Sequence, residues 1–79
     1  GRGSSFTCNA QGFYMKCPKG GYCMSNLAMS NGVGRTREQA SSMAEAMCNR
    51  HMTNLVSINN FGGRAYVSAR CKTIKCTGG

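Results

Sequence analysis

One helical periodicity stands out along the chain. Ala40, Met43, Ala44, Met47, Cys48 and His51 fall at i, i+3, i+4, i+7, i+8 and i+11, the spacing that aligns one side of an α-helix. Ser41, Ser42, Glu45 and Asn49 occupy the other side. The start is marked chemically: Thr36-Arg37-Glu38-Gln39 reads as a capping box, with Thr36 at the N-cap and Gln39 reaching back. Gly32 and Gly34 precede the segment and Thr53-Asn54 closes it. The spacing therefore predicts a helix over about 37–52, with the face containing Met43 and Met47 turned to the core.

The flanking segments follow a shorter period. Residues 54–58 and 64–71 are strand-like and surround Asn59-Asn60-Phe61-Gly62-Gly63, the pattern of a β-hairpin with a glycine-containing loop. In the second strand Ala65, Val67, Ala69 and Cys71 point one way, toward the helix. Arg64, Tyr66, Ser68, Arg70 and Lys72 point the other way, with Lys75 just beyond. Upstream, residues 6–8 and 13–17 are short strands separated by Asn9-Ala10-Gln11-Gly12. A turn at Cys17-Pro18-Lys19-Gly20-Gly21 leads to a third strand over 22–29, broken at Ser30-Asn31-Gly32. The expected fold is α+β: a small disulfide-stapled antiparallel sheet with one packed helix, in the order β-β-β-α-β-β. All of 1–79 forms one disulfide-rich domain, with 1–4 and 77–79 as flexible ends.

Length decides how such a fold is held. A 79-residue chain buries only about 60% of the surface its unfolded form exposes. With no Trp, three Phe and three Tyr, its core needs staples. Six cysteines supply them: Cys8, Cys17, Cys23, Cys48, Cys71 and Cys76. An even count in a short chain marks a disulfide scaffold from an oxidising compartment, and no C-x₂-C zinc knuckle is present. Six cysteines allow fifteen pairings. Cys48, central on the predicted helix face, is expected to join a sheet cysteine. The absence of an N-terminal apolar run fits a mature secreted or periplasmic protein after signal-peptide removal.

Charge narrows the chemistry. Ten Lys and Arg stand against two Glu and no Asp, a formal +8. A carboxylate-built Ca²⁺ or Mg²⁺ site is excluded, as is any mechanism that needs an aspartate. His51 is the one histidine, and Glu45, six positions away, falls on the opposite side of the helix. That geometry opposes general acid–base catalysis, so no enzymatic step is expected. Instead, a His at the helix end suits the dipole. Met43, Met47 and His51 do place two thioethers and an imidazole in line, the soft set that Cu(I) selects, and Met15, Met24, Met29 and Met52 could add ligands. Met is equally the residue that fills irregular gaps in small cores. Packing is the preferred reading and no cofactor is expected.

The basic residues carry the functional signal. Both acids sit in the helix, so the sheet portion holds its charge uncompensated. Arg64, Tyr66, Arg70, Lys72 and Lys75 form a basic stripe with one aromatic, suited to anionic surfaces. The alternative is a solvated face that keeps a small protein soluble. Nucleic acid is not the expected partner, because aromatic platforms for single strands are sparse.

The run Arg50-His51-Met52-Thr53-Asn54-Leu55-Val56 after Cys48, and the opening Arg2-Gly3-Ser4-Ser5 before Cys8, resemble segments of the virally encoded killer toxins of smut fungi. The resemblance implies a secreted, basic, disulfide-rich α/β sandwich that blocks an ion channel of a target cell. Taken with the charge, the expected function is a cationic, toxin-like or antimicrobial effector, acting as a monomer. Its partner would be an anionic membrane surface, an acidic polysaccharide or an acidic protein receptor. Two other readings stay open: a periplasmic or cell-envelope accessory protein working by protein–protein contact, and a Met/His copper-binding protein.

Overall fold

The computed structural model describes residues 5–79; the leading segment 1–4, expected to be free, lies outside them. Three strands and one helix follow in the order β-β-α-β: β1 (Phe6–Pro18), β2 (Met24–Gly34), α1 (Arg37–Asn59) and β3 (Gly63–Gly78). The sheet order is β2-β1-β3, and β1 pairs antiparallel with both neighbours. The helix therefore carries the chain from one edge of the sheet to the other, across the central strand. The class is the expected α+β, with fewer and longer strands.

Each merger has a local cause. Residues 9–12 do not turn; β1 runs through them, with Cys8, Ala10, Gly12 and Tyr14 buried in alternation. Gly12 marks close approach rather than a bend, since a Cβ there would lie 2.8 Å from the Ala69 carbonyl oxygen and 2.9 Å from Cys71 Sγ. Gly32 likewise does not break β2. A Cβ on Gly32 would lie 2.2 Å from the Ala44 nitrogen, and one on Gly34 would lie 2.6 Å from that of Ala40. These two glycines form the shelf on which the helix rests.

The helix begins as expected and ends seven residues late. Thr36 Oγ1 accepts from the Gln39 N–H at 3.0 Å, while Gln39 Oε1 reaches one residue further back, to the Arg35 N–H. Residues 54–58, expected as a strand, continue the helix: Leu55 and Val56 pack against the core beyond Met52, and that burial outweighs the strand preference of Val56 and Ile58. No hairpin exists at 54–71. Asn60 caps the helix, donating from Nδ2 to the Val56 and Ala65 carbonyls and accepting the Ala65 N–H on Oδ1, and so turns the chain into β3.

The buried helix stripe is Ala40, Ala44, Cys48 and Met52, not the face centred on Met43 and Met47. Those two are 48% and 49% exposed and flank the seam. Small residues win the contact because alanine on glycine lets backbones approach, and a Met between them would hold the layers apart. Ser41, Glu45 and Asn49, assigned to the solvent side, instead bond β3. The end of the chain, expected to be loose, is paired: Thr77 lies opposite Thr7 and Gly78 opposite Phe6.

Three disulfides staple the fold: Cys8–Cys76 ties β1 to β3, Cys17–Cys23 closes the β1–β2 turn, and Cys48–Cys71 alone joins helix to sheet. Cys48 thus finds the kind of partner expected of it.

Candidate binding face

Partners across an antiparallel ladder point to the same side of the sheet. The even-numbered side chains of β1 face the helix, so odd positions 7 to 17 and their partners form the opposite, uncovered face. Along its middle, Leu27, Phe13 and Ala69 form one cross-strand row and Met29, Gln11 and Lys72 the next. Ser25, Met15 and Tyr66 lie to one side of these rows, and Asn31, Asn9 and Lys75 to the other.

Of the expected stripe, Arg64, Tyr66, Lys72 and Lys75 pair with Cys17, Met15, Gln11 and Asn9, and all four belong to this face. Lys75 does so out of phase with simple alternation. Shifts in the β1–β3 register leave Ser68, Arg70, Cys71 and Ile74 without partners in β1 and move Ala69 to the open side, opposite Phe13. Ala65 and Cys71 are buried beneath; Val67, opposite Tyr14, keeps the expected helix side but is partly exposed, whereas Ala69 leaves it. Arg70 reaches the face from the bulge, lining a shallow concavity with Gln11, Phe13, Ala69, Lys72 and Ile74. Arg64 lies over the Tyr66 ring, its Cζ 5.4 Å from the centroid, a cation–π contact on the exposed face.

The face carries no carboxylate. Glu45 lies on the helix side, where its Oε2 accepts from the Thr73 N–H at 2.8 Å and from Thr73 Oγ1 at 2.9 Å. These two bonds, the backbone one first, hold its carboxyl below the usual glutamate value; desolvation opposes them and the Lys72 charge assists. Glu38 sits in the first helical turn. Phe13, Gln11 and Leu27 belong to the face but escaped sequence reasoning: Gln11 fell in the expected break at 9–12, and only the strand register brings Leu27 and Phe13 beside the basic residues. Continuous alternation through 8–14 was the signal that could have found them.

His51 lies inside the helix, not at its end. It is exposed and shares an open depression with Met29, Ser30, Met47, Arg50 and Asn54; Met43 borders a separate one beside Val33. The in-line trio of Met43, Met47 and His51 is therefore divided between two depressions, with a guanidinium in the one that holds the histidine. Among the described residues no group of three or more His, Cys, Asp or Glu could hold a metal ion.

Three disulfides fit an oxidising environment. No helix among the described residues is long and apolar enough to cross a membrane. No protein-family model, curated protein or solved structure matches the chain. Residues 50–56, one carrier of the resemblance to killer toxins, lie wholly within α1.

Proposed function

We propose that this chain is a small secreted cationic binding protein, a toxin-like or antimicrobial effector that engages an anionic cell surface or an acidic receptor without catalysis. The observation that carries the reading is the open sheet face. It gathers Arg64, Lys72 and Lys75 with Phe13 and Tyr66, while Glu45 is engaged on the other side. Cations beside exposed apolar groups on a rigid sheet suit a partner that offers both negative charge and apolar contact. The killer-toxin resemblance supports an effector role, with a channel of the target cell as the acidic receptor.

Replacing Arg64, Arg70 and Lys72 together by Gln tests it. The fold should survive, because exposed charges contribute little to stability. At ~1 kcal/mol per basic residue near an anionic surface, affinity for anionic liposomes or acidic polysaccharide should fall roughly a hundredfold. Wild-type binding should weaken as salt rises. A triple variant that keeps its binding and its salt response would leave the face a solubility feature and move a cell-envelope accessory role ahead. Growth inhibition across a panel of bacteria and fungi then identifies the target.

A further inference from the structure

The described molecule is a rod with Cα extents of 55 × 16 × 12 Å. One end is built from two turns, the β1–β2 turn at 19–23 and the α1–β3 turn at 60–62. They touch: the Lys19 N–H donates to the Gly62 carbonyl at 3.4 Å. Gly63 packs so closely that a Cβ there would lie 2.3 Å from the Cys17 carbonyl oxygen. The Cys17–Cys23 disulfide closes the first turn, and Asn60 fixes the second to both α1 and β3. The end is rigid on both sides.

This end carries the three most exposed large apolar side chains: Tyr22 at 92%, Phe61 at 91% and Ile58 at 63%. Single exposed apolar residues are ordinary, but the three extremes at one tip are a feature. Lys19 follows β1 directly and Arg64 lies opposite Cys17, so two cations ring the tip. Neither carboxylate is near it, since Glu38 and Glu45 belong to the half of α1 that starts at the opposite end of the rod.

We propose that this tip docks into an anionic lipid bilayer, with Tyr22 and Phe61 entering the interface and Lys19 and Arg64 at headgroup level. Apolar contact and charge select this occupant. The apolar contact offered is three side chains, Tyr22, Phe61 and Ile58, ringed by Lys19 and Arg64, and a charged bilayer surface complements both parts. Aromatic rings flanked by cations are the side chains that settle at a membrane interface, and a few of them suffice. A second copy is a poor occupant because each chain carries +8. Rigid turns lower the cost of insertion, since little chain freedom remains to be lost. The tip meets the open face at Arg64, while Gln11, Phe13, Lys72 and Lys75 lie further along the sheet, so docking leaves that part of the face free for its acidic partner.

The probe is a vesicle of phosphatidylcholine with phosphatidylglycerol. In Phe61→Trp, which keeps an aromatic at an exposed position, the indole emission should shift to the blue on vesicle binding. Lipids brominated in their acyl chains should quench it. Tyr22→Ser/Phe61→Ser should keep its circular dichroism and its affinity for a soluble acidic polysaccharide, while vesicle partitioning falls about tenfold or more. An indole that keeps a water-exposed emission with the protein bound to vesicles overturns the proposal, as does undiminished partitioning of the double variant. Failure of the sheet-face variants to lose polysaccharide binding bears on the function proposed above and not on the tip.

Discussion

Thr73 is the residue through which β3 is tied to the polar flank of the helix. Its N–H and hydroxyl both donate to Glu45, so the Ser41 hydroxyl must be the donor in the Ser41–Thr73 contact. Asn49 Oδ1 accepts the Cys71 N–H at 2.9 Å along the same flank. The Glu45 bonds exist fully only with an ionised carboxylate, which sets a pH dependence. Because the folded pKa lies below the ordinary glutamate value, the stabilisation is complete above that value and is lost as pH falls through the lower folded pKa. Glu45→Gln should therefore be less stable than wild type at neutral pH, by about 1 kcal/mol for weakened charge-assisted bonds. Denaturant titrations should show that gap closing as pH falls below the ordinary glutamate range. A gap independent of pH would mean the bonds do not depend on the charge.

The helix and the sheet meet through backbone proximity rather than interlocked large side chains. Ala40 and Ala44 lie on Gly34 and Gly32, and Met52, Tyr14 and the half-buried Leu55 and Val56 fill the wider end of the seam. Two substitutions separate this arrangement from a methionine-filled core. Gly32→Ala adds one methyl where the Ala44 backbone nitrogen leaves 2.2 Å, and backbone cannot swing aside as a side chain can. It should cost about 1–3 kcal/mol or more in chemical denaturation. Met47→Ala removes most of a half-exposed side chain and should cost no more than about 1 kcal/mol. The reverse ranking would return Met47 to the core.

At the scale of the whole molecule, disulfides supply what a small core does not. They close loops with sequence separations of 68, 23 and 6 residues. On loop entropy alone these correspond to about 4.4, 3.4 and 2.2 kcal/mol, for Cys8–Cys76, Cys48–Cys71 and Cys17–Cys23 in turn. Against a typical domain stability of about 5–15 kcal/mol, losing either of the first two endangers the fold. Cys48→Ala/Cys71→Ala should lower the unfolding midpoint more than Cys17→Ala/Cys23→Ala, measured by guanidinium denaturation. The latter pair should leave the helix–sheet core intact and loosen only the tip, visible as faster hydrogen exchange at 18–24.

Short-range chemistry in the sequence determined a good deal. The Thr36 cap, the helix it starts, the disulfide scaffold, the α+β class and the uncompensated charge of the sheet are local or compositional properties, visible without contacts. Helix length, strand continuity and facing depended on neighbours distant in the chain. Val56 and Ile58 carry strand preference but are drawn into the helix by the core at Leu55 and Val56. Gly12 and Gly32 look like breaks because glycine favours turns, yet they are present because another backbone lies against them. Period-two counting through 64–75 located the basic residues. It also put Arg64, Tyr66 and Lys72 on one face; only the β1–β3 register, with its shifts, could add Lys75 to that face and bring Phe13 between the cations. A strand's phase follows its partner, and the partner is chosen by tertiary packing.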